Sequence, residues 1–131
     1  MERAIQIFAV IHFAVIGLSH IVQPRVWADF FIALRGQGKR GVFAIAFLTL
    51  WFGTIIVAFH NVWTGIPIVL TLVGWAQVVK ATIYFLFPGF GLKQMERVTL
   101  ERSWFFIPGG AVFVALALVL AFHLIQTLPP G

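Results

Sequence analysis

Four long apolar runs constrain this 131-residue chain more than any other feature. They cover about residues 4–22, 41–60, 66–87 and 104–126. Each run reaches the roughly 20 residues that an α-helix needs to cross about 30 Å of hydrocarbon. An open sheet cannot satisfy its backbone hydrogen bonds in lipid, so we expect every run to be helical. The sequence therefore predicts an all-α integral membrane protein, a single domain over residues 1–131 that forms a bundle of four transmembrane helices.

The composition supports a membrane location. Apolar residues make up 61% of the chain and charged residues 10%, whereas about a quarter of the residues in soluble domains are charged. Glu2 and Arg3 precede the first run and no small-residue cleavage pattern follows it, so we interpret it as a retained span. The chain has no cysteine, which excludes disulfides, thiolate metal sites and covalently attached haem.

The basic residues predict an orientation. Seven of the nine Lys and Arg residues lie in the connections 23–40 and 88–103, and the connection between the second and third runs has none. By the positive-inside rule, both basic connections face the cytoplasm and both termini face out. We expect the bacterial inner (plasma) membrane. The net charge of +5 then reports topology and attraction to anionic lipid rather than to nucleic acid.

Amphipathic stretches and aromatic residues mark the expected membrane surface. Residues 24–35 place Trp27, Phe30, Phe31 and Leu34 at the spacing of one helical face, which predicts a short helix lying on the inner leaflet. Residues 88–102 repeat this pattern more weakly. The predicted interfacial anchors are Trp27, Phe30, Phe31, Trp63 and Trp104. Pro24 and Pro88, Arg40 and Arg102, and His60 and His123 recur at offsets of 62 to 64 residues. A 2+2 duplication would explain these offsets, and so would four evenly spaced helices.

Each apolar run carries small or polar residues along one face, which predicts packing through those faces. The polar residues expected to face the bundle, or to line a solute path, are His12, Ser19, His20, Thr49, Gln77, Lys80 and Tyr84. By helical rise, His12, Thr49 and Gln77 fall near the midplane. We expect His12 to form a structural hydrogen bond with Gln77 or Thr49.

Lys80 is the one cation inside an apolar run, and two interpretations of it stay open. Its side chain either snorkels to the inner surface or supplies a fixed positive charge to a site. The runs contain no acid, since Glu2, Asp29, Glu96 and Glu101 all lie outside them. This disfavours proton-coupled cation export and the paired-carboxylate hydrolases.

The leading hypothesis is a non-enzymatic accessory or structural subunit of a homo- or hetero-oligomeric membrane complex, with no cofactor and no metal. The first alternative is a small oligomeric transporter or channel for an anionic or neutral solute, lined by His12, Gln77, Lys80 and Tyr84. The second is a redox subunit that binds haem b through His60 and His123, or quinone beside Trp51 and Trp75.

Overall fold

A computed structural model describes all residues, 1–131, and shows an entirely helical chain. The helices are α1 Glu2–Val22, α2 Pro24–Gly36, α3 Lys39–Phe59, α4 Ile68–Leu86, α5 Pro88–Met95 and α6 Phe106–Gln126, with a 3₁₀ turn over Ser103–Phe105. Four of them, α1, α3, α4 and α6 with its 3₁₀ turn, are long and apolar enough to cross a membrane. The predicted four-helix, all-α class is thereby confirmed, and the predicted span boundaries differ from the observed ones by no more than two residues.

The long helices pack mainly as two pairs, α1 with α6 and α3 with α4. Glycines allow the close approach within each pair. Gly17 faces Gly110 in the first pair, and Gly53 faces Gly74 in the second, with backbone atoms so near that neither contact leaves room for a Cβ. Small residues at such crossings let apolar helices gain van der Waals contact where lipid provides no hydrophobic driving force.

A shared core joins the two pairs. Ile5, Phe13, Ile56, Leu70 and Leu120 are buried together, so this cluster takes side chains from all four long helices. A second, smaller cluster contains Val42, Ile45, Ala46, Tyr84 and Met95 and packs α5 against α3 and α4. We call the end of the bundle that carries α2 and α5 the basic end, and the end that carries both termini and residues 60–67 the terminal end.

The predicted amphipathic helix at 24–35 is present as α2 and begins at its proline. Gly38 adopts a φ of 64°, a left-handed conformation suited to glycine, and so lets the chain turn directly from α2 into α3. The second amphipathic stretch is shorter than its pattern, because α5 ends at Met95 and turns follow it. Arg35 occupies this end of α5, where its Nη1 lies 2.9 Å from the carbonyl oxygen of Val98 and 3.3 Å from that of Met95.

The duplication stays a prediction. In a duplicated chain, α1–α3 would correspond to α4–α6. If α1 of the first unit pairs with α6 of the second, then α4 should pair with α3, and both pairs are observed. The crossings, however, lie at opposite ends. Gly17 and Gly110 are within about two turns of the basic end, and Gly53 and Gly74 are within about two turns of the terminal end.

Candidate functional site

Lys80 lies on the lateral surface of the bundle. Its side chain is exposed and forms no hydrogen bond, and its Nζ lies 5.6 Å from the ring centroid of Tyr84. The expectation that Lys80 points into the bundle is therefore wrong, although Tyr84 is buried as expected. The buried face of α4 is centred on Gly74 and Ala81, and each residue advances by about 100° around the helix. Lys80, directly before Ala81, consequently falls at the edge of that face.

A groove of about 520 Å³ runs past Lys80 along α4 and onto α5. It is lined by Trp75, Ala76, Val79, Lys80, Ile83, Tyr84, Phe90 and Gln94. We call it the Lys80 groove. Lys80 precedes the last residue of α4, Leu86, by six positions, which corresponds to about 9 Å along the axis. The groove therefore presents one positive charge on a mostly apolar lateral surface.

Nothing in the chain neutralises this charge. Glu2 is the first residue of α1, Asp29 lies on α2, and Glu96 and Glu101 follow α5. None of these carboxylates forms an ion pair with Lys80. An unpaired cation on a membrane-spanning helix is costly, so a counter-charge must come from outside the chain or the amine must reach an aqueous surface.

The three residues expected near the midplane do not form the predicted contact. The imidazole ring of His12 stacks on Phe52 at a centroid distance of 4.3 Å and an interplanar angle of 25°, and it bonds to neither Thr49 nor Gln77. Phe8 and Phe13 also border the imidazole, so aromatic rings fill the space in which a hydrogen-bonding partner was expected. Gln77 instead packs at the crossing of α3 and α4, beside Gly53.

Ser19 and His20 hold α2 against α1 at the basic end. Trp27 donates its indole N–H to Ser19 Oγ at 2.9 Å and stacks on the imidazole of His20 at 4.1 Å. His20 Nδ1 lies 2.7 Å from the carbonyl oxygen of Ile16, so Nδ1 carries the proton that this bond requires. Both polar residues predicted here are thus occupied by contacts between helices.

The predicted anchors fall into two groups. Trp27 and Phe31 are half-buried, and the ring of Phe31 stacks on Phe106 at 5.8 Å. Phe30, Trp63 and Trp104 are exposed. Exposed aromatic rings at helix boundaries fit the amphipathic environment of a membrane surface, whereas Trp27 and Phe31 already pack within the protein.

A buried polar network at the terminal end was not predicted. His60 and Thr71 are fully buried and Gln6 is nearly so. His60 Nε2 lies 3.1 Å from the amide nitrogen of Gln6, and His60 Nδ1 lies 3.2 Å from Thr71 Oγ1. Thr71 donates its hydroxyl proton to the carbonyl oxygen of Val62 at 2.7 Å and therefore accepts a proton from His60 Nδ1. The neutral Nδ1–H tautomer satisfies every member.

Burial lowers the pKa of His60 below its usual value of 6.5, while the nearby carboxylate of Glu2 acts in the opposite direction. The neutral ring is therefore the stable form in the folded protein near neutral pH. The positions of the three polar residues along their helices could have indicated this network. Gln6 lies near the start of α1, His60 directly follows α3, and Thr71 lies in the first turn of α4, all at one end of the bundle.

The network also bears on the expected haem pair. Both ring nitrogens of His60 are within hydrogen-bond distance of protein groups, so neither can bind iron without breaking one of these bonds. His123 is half-buried on α6 and its carbonyl oxygen accepts a hydrogen bond from Thr127. His60 is thus a structural link between α1, α3 and α4 rather than a free ligand.

Comparison with known proteins returned no match: no protein-family model, curated protein or solved structure matches this chain. The structure has no group of three or more His, Cys, Asp or Glu side chains that could hold a metal ion. The candidate site is accordingly defined by geometry, and its distinguishing feature is the exposed cation of the Lys80 groove.

Proposed function

We propose that this protein is a non-enzymatic accessory subunit of a membrane complex, and that its partner docks along the Lys80 groove. The observation that carries the proposal is the exposed Lys80 on a spanning helix with no acid of the same chain to pair with it. A partner helix that brings a carboxylate to the groove would remove the cost of this unpaired charge. The apolar side chains of Val79, Ile83 and Phe90 would supply packing contacts around the ion pair.

The charge argues for a partner of a different kind rather than for a second copy. A second copy would bring only the same four acids, and these lie on α2, in the connection after α5 or at the first residue of α1. Two copies that met through this groove would place two lysines near each other without a counter-charge. A carboxylate within a span of another protein fits the groove better.

The proposed setting is the bacterial inner membrane, with both termini outside and residues 23–40 and 88–103 in the cytoplasm. The clustering of Lys and Arg at the basic end supports this orientation. Helix α2 would then lie at the inner surface with exposed Phe30 toward the lipid.

The transport alternative has weaker support. His12, Thr49 and Gln77 line neither the Lys80 groove nor any of four other surface grooves, and the Lys80 groove opens sideways instead of into the bundle. A solute path would therefore have to form between chains. A quinone beside Trp51 or Trp75 would lie in an open lateral groove, and a haem ligated by His60 would have to break one of the bonds of its ring nitrogens.

Site-specific photocrosslinking tests the proposal. A benzoylphenylalanine replaces Val79 in the groove, or Leu118, which is exposed on α6, and the adducts are identified by mass spectrometry after extraction in mild detergent. We expect the probe at 79 to capture a spanning segment that contains Asp or Glu, and the probe at 118 to miss it.

The matched charge control compares Lys80→Met with Lys93→Met, since both lysines are exposed but only Lys80 lies on a spanning helix. The adduct should disappear with Lys80→Met and persist with Lys93→Met. Adducts to lipid or to copies of this chain alone, or an adduct that is unaffected by Lys80→Met, would overturn the proposal.

A further inference from the structure

A second groove, at the basic end, combines two cations with aromatic side chains. It has a volume of about 300 Å³ and is lined by Arg97, Val98, Arg102, Phe105 and Phe106. We call it the arginine groove. It lies where the connection after α5 passes through the 3₁₀ turn into α6. Arg97 and Arg102 are both exposed and both line it.

The two guanidinium groups are free to bind a ligand. Arg3 and Arg35 donate to main-chain carbonyl oxygens, at Leu124 and Val98 respectively, and so serve to hold helices together. No such bond involves the side chain of Arg97 or Arg102; Arg102 bonds only through its backbone, with its N–H to Thr99 Oγ1 and its carbonyl oxygen to the N–H of Phe105.

The acids adjacent in sequence do not neutralise the arginine groove. Glu96 and Glu101 each precede one of the arginines, and both are exposed. Neither forms an ion pair with Arg97 or Arg102, and neither lines the groove. Unpaired guanidinium groups present planar arrays of N–H donors that match the geometry of phosphate oxygens.

The apolar half of the groove indicates what kind of phosphate-containing ligand fits. Phe105 is exposed, Phe106 is the first residue of α6, and Val98 lies between the two arginines in sequence. These side chains continue from the arginines onto the surface of a helix apolar enough to span the membrane. Exposed Trp104 marks the level of a membrane–water boundary. A ligand that fits has a phosphate at one end and hydrocarbon at the other.

We propose that the arginine groove binds the headgroup of an anionic phospholipid, with the phosphate between Arg97 and Arg102 and an acyl chain along Phe105. Basic groups at the anionic leaflet attract such lipids, and a groove with two arginines favours one lipid position over diffuse attraction. The site is independent of the partner proposed for the Lys80 groove, because the two grooves share no lining residue.

Native mass spectrometry of the full chain tests this site, with phosphatidylglycerol as the anionic probe and phosphatidylcholine as the zwitterionic one. The double variant Arg97→Gln/Arg102→Gln is compared with Arg25→Gln/Arg40→Gln, which removes two exposed arginines elsewhere at the basic end. We expect the first variant to weaken phosphatidylglycerol binding by roughly 25-fold and the second by less than about 3-fold.

Two further arms distinguish the source of the phosphate. Millimolar inorganic phosphate should not displace phosphatidylglycerol, because it lacks the hydrocarbon that packs along Phe105. Displacement by inorganic phosphate, equal binding of phosphatidylcholine, or equal losses in both double variants would overturn the proposal. Thermal unfolding of each variant establishes that it is folded. Phe105→Ser keeps both arginines and should weaken the binding of phosphatidylglycerol. Inorganic phosphate should still fail to displace the lipid from this variant.

Discussion

Gly17 and Gly110 bring α1 and α6 into backbone contact. A Cβ on Gly17 would lie 2.7 Å from the carbonyl oxygen of Gly110, and a Cβ on Gly110 would lie 2.7 Å from the Cβ of His20. Real Cβ atoms do not approach so closely, so a methyl group at either position forces the helices apart. The first helix pair therefore depends on the absence of two side chains.

Gly110→Ala should destabilise the protein by about 1–3 kcal/mol, the usual cost of overpacking a close contact. The neighbouring Gly109 provides the control, because a Cβ there meets nothing within 4 Å. Gly109→Ala should be neutral or slightly stabilising through its better helix propensity. The measurement is the free energy of unfolding in mixed detergent, and equal effects of the two substitutions would contradict a contact at Gly110.

Thr71→Val should cost about 1–3 kcal/mol, because it leaves His60 Nδ1 and the backbone groups of Val62 without their buried partner. Thr82→Val is the control, since its exposed hydroxyl bonds only to the carbonyl oxygen of Val78 in its own helix. Unfolding of Gln6→Leu, Thr71→Val and the double variant should give non-additive losses, because both residues act on His60. Additive losses would show that the bonds are energetically separate.

The network also predicts a pH dependence with a definite sign. Burial lowers the pKa of His60 in the folded protein, so the unfolded chain binds a proton more readily. Stability should be constant well above the usual pKa of 6.5 and fall as the pH is lowered through that value. The test is the unfolding midpoint at pH 7.5 and pH 5. His60→Asn should reduce the difference, whereas His123→Asn should retain it.

The fold was predictable because the apolar runs and their termini are local signals. Pro24 marks the start of α2, and each apolar run predicted, to within two residues, the bounds of a helix long and apolar enough to cross a membrane. The pairing of the helices was not predictable in this way, since it depends on which small residues meet. Gly17 and Gly110 are 93 positions apart, and nothing in the sequence alone links them.

The candidate site was only partly predictable for the same reason. Lys80 was recognisable as an unusual charge, but the assumption that every polar residue faces the bundle put its side chain inside, whereas it lies exposed at the edge of the buried face of α4. His12 was expected to bond with Thr49 or Gln77 at a similar depth, whereas rings such as Phe52 fill the space beside it. Helical periodicity gives the direction of a side chain to within a wide arc, and neighbouring side chains decide the contact.

Arg35 provides the last prediction, because it joins the two basic connections. Its Nη1 donates to the carbonyl oxygens of Met95, Glu96 and Val98. The Met95 oxygen also accepts a bond from the backbone N–H of Val98, whereas no backbone N–H bonds to the oxygens of Glu96 and Val98. A cation at the C-terminus of a helix also interacts favourably with the helix dipole. Arg35→Gln should therefore release residues 96–102 from α2.

Limited trypsin digestion reports this release, since Arg97 and Arg102 lie within the freed segment. When opening and closing are fast, the cleavage rate follows the population of the open form, and loss of these bonds should raise it by about 10-fold or more. Arg25→Gln removes the same charge from the exposed surface of α2 and should leave the rate near that of the unsubstituted protein. A similar acceleration in both variants would instead indicate that net charge, and not the cap on α5, governs access to the segment.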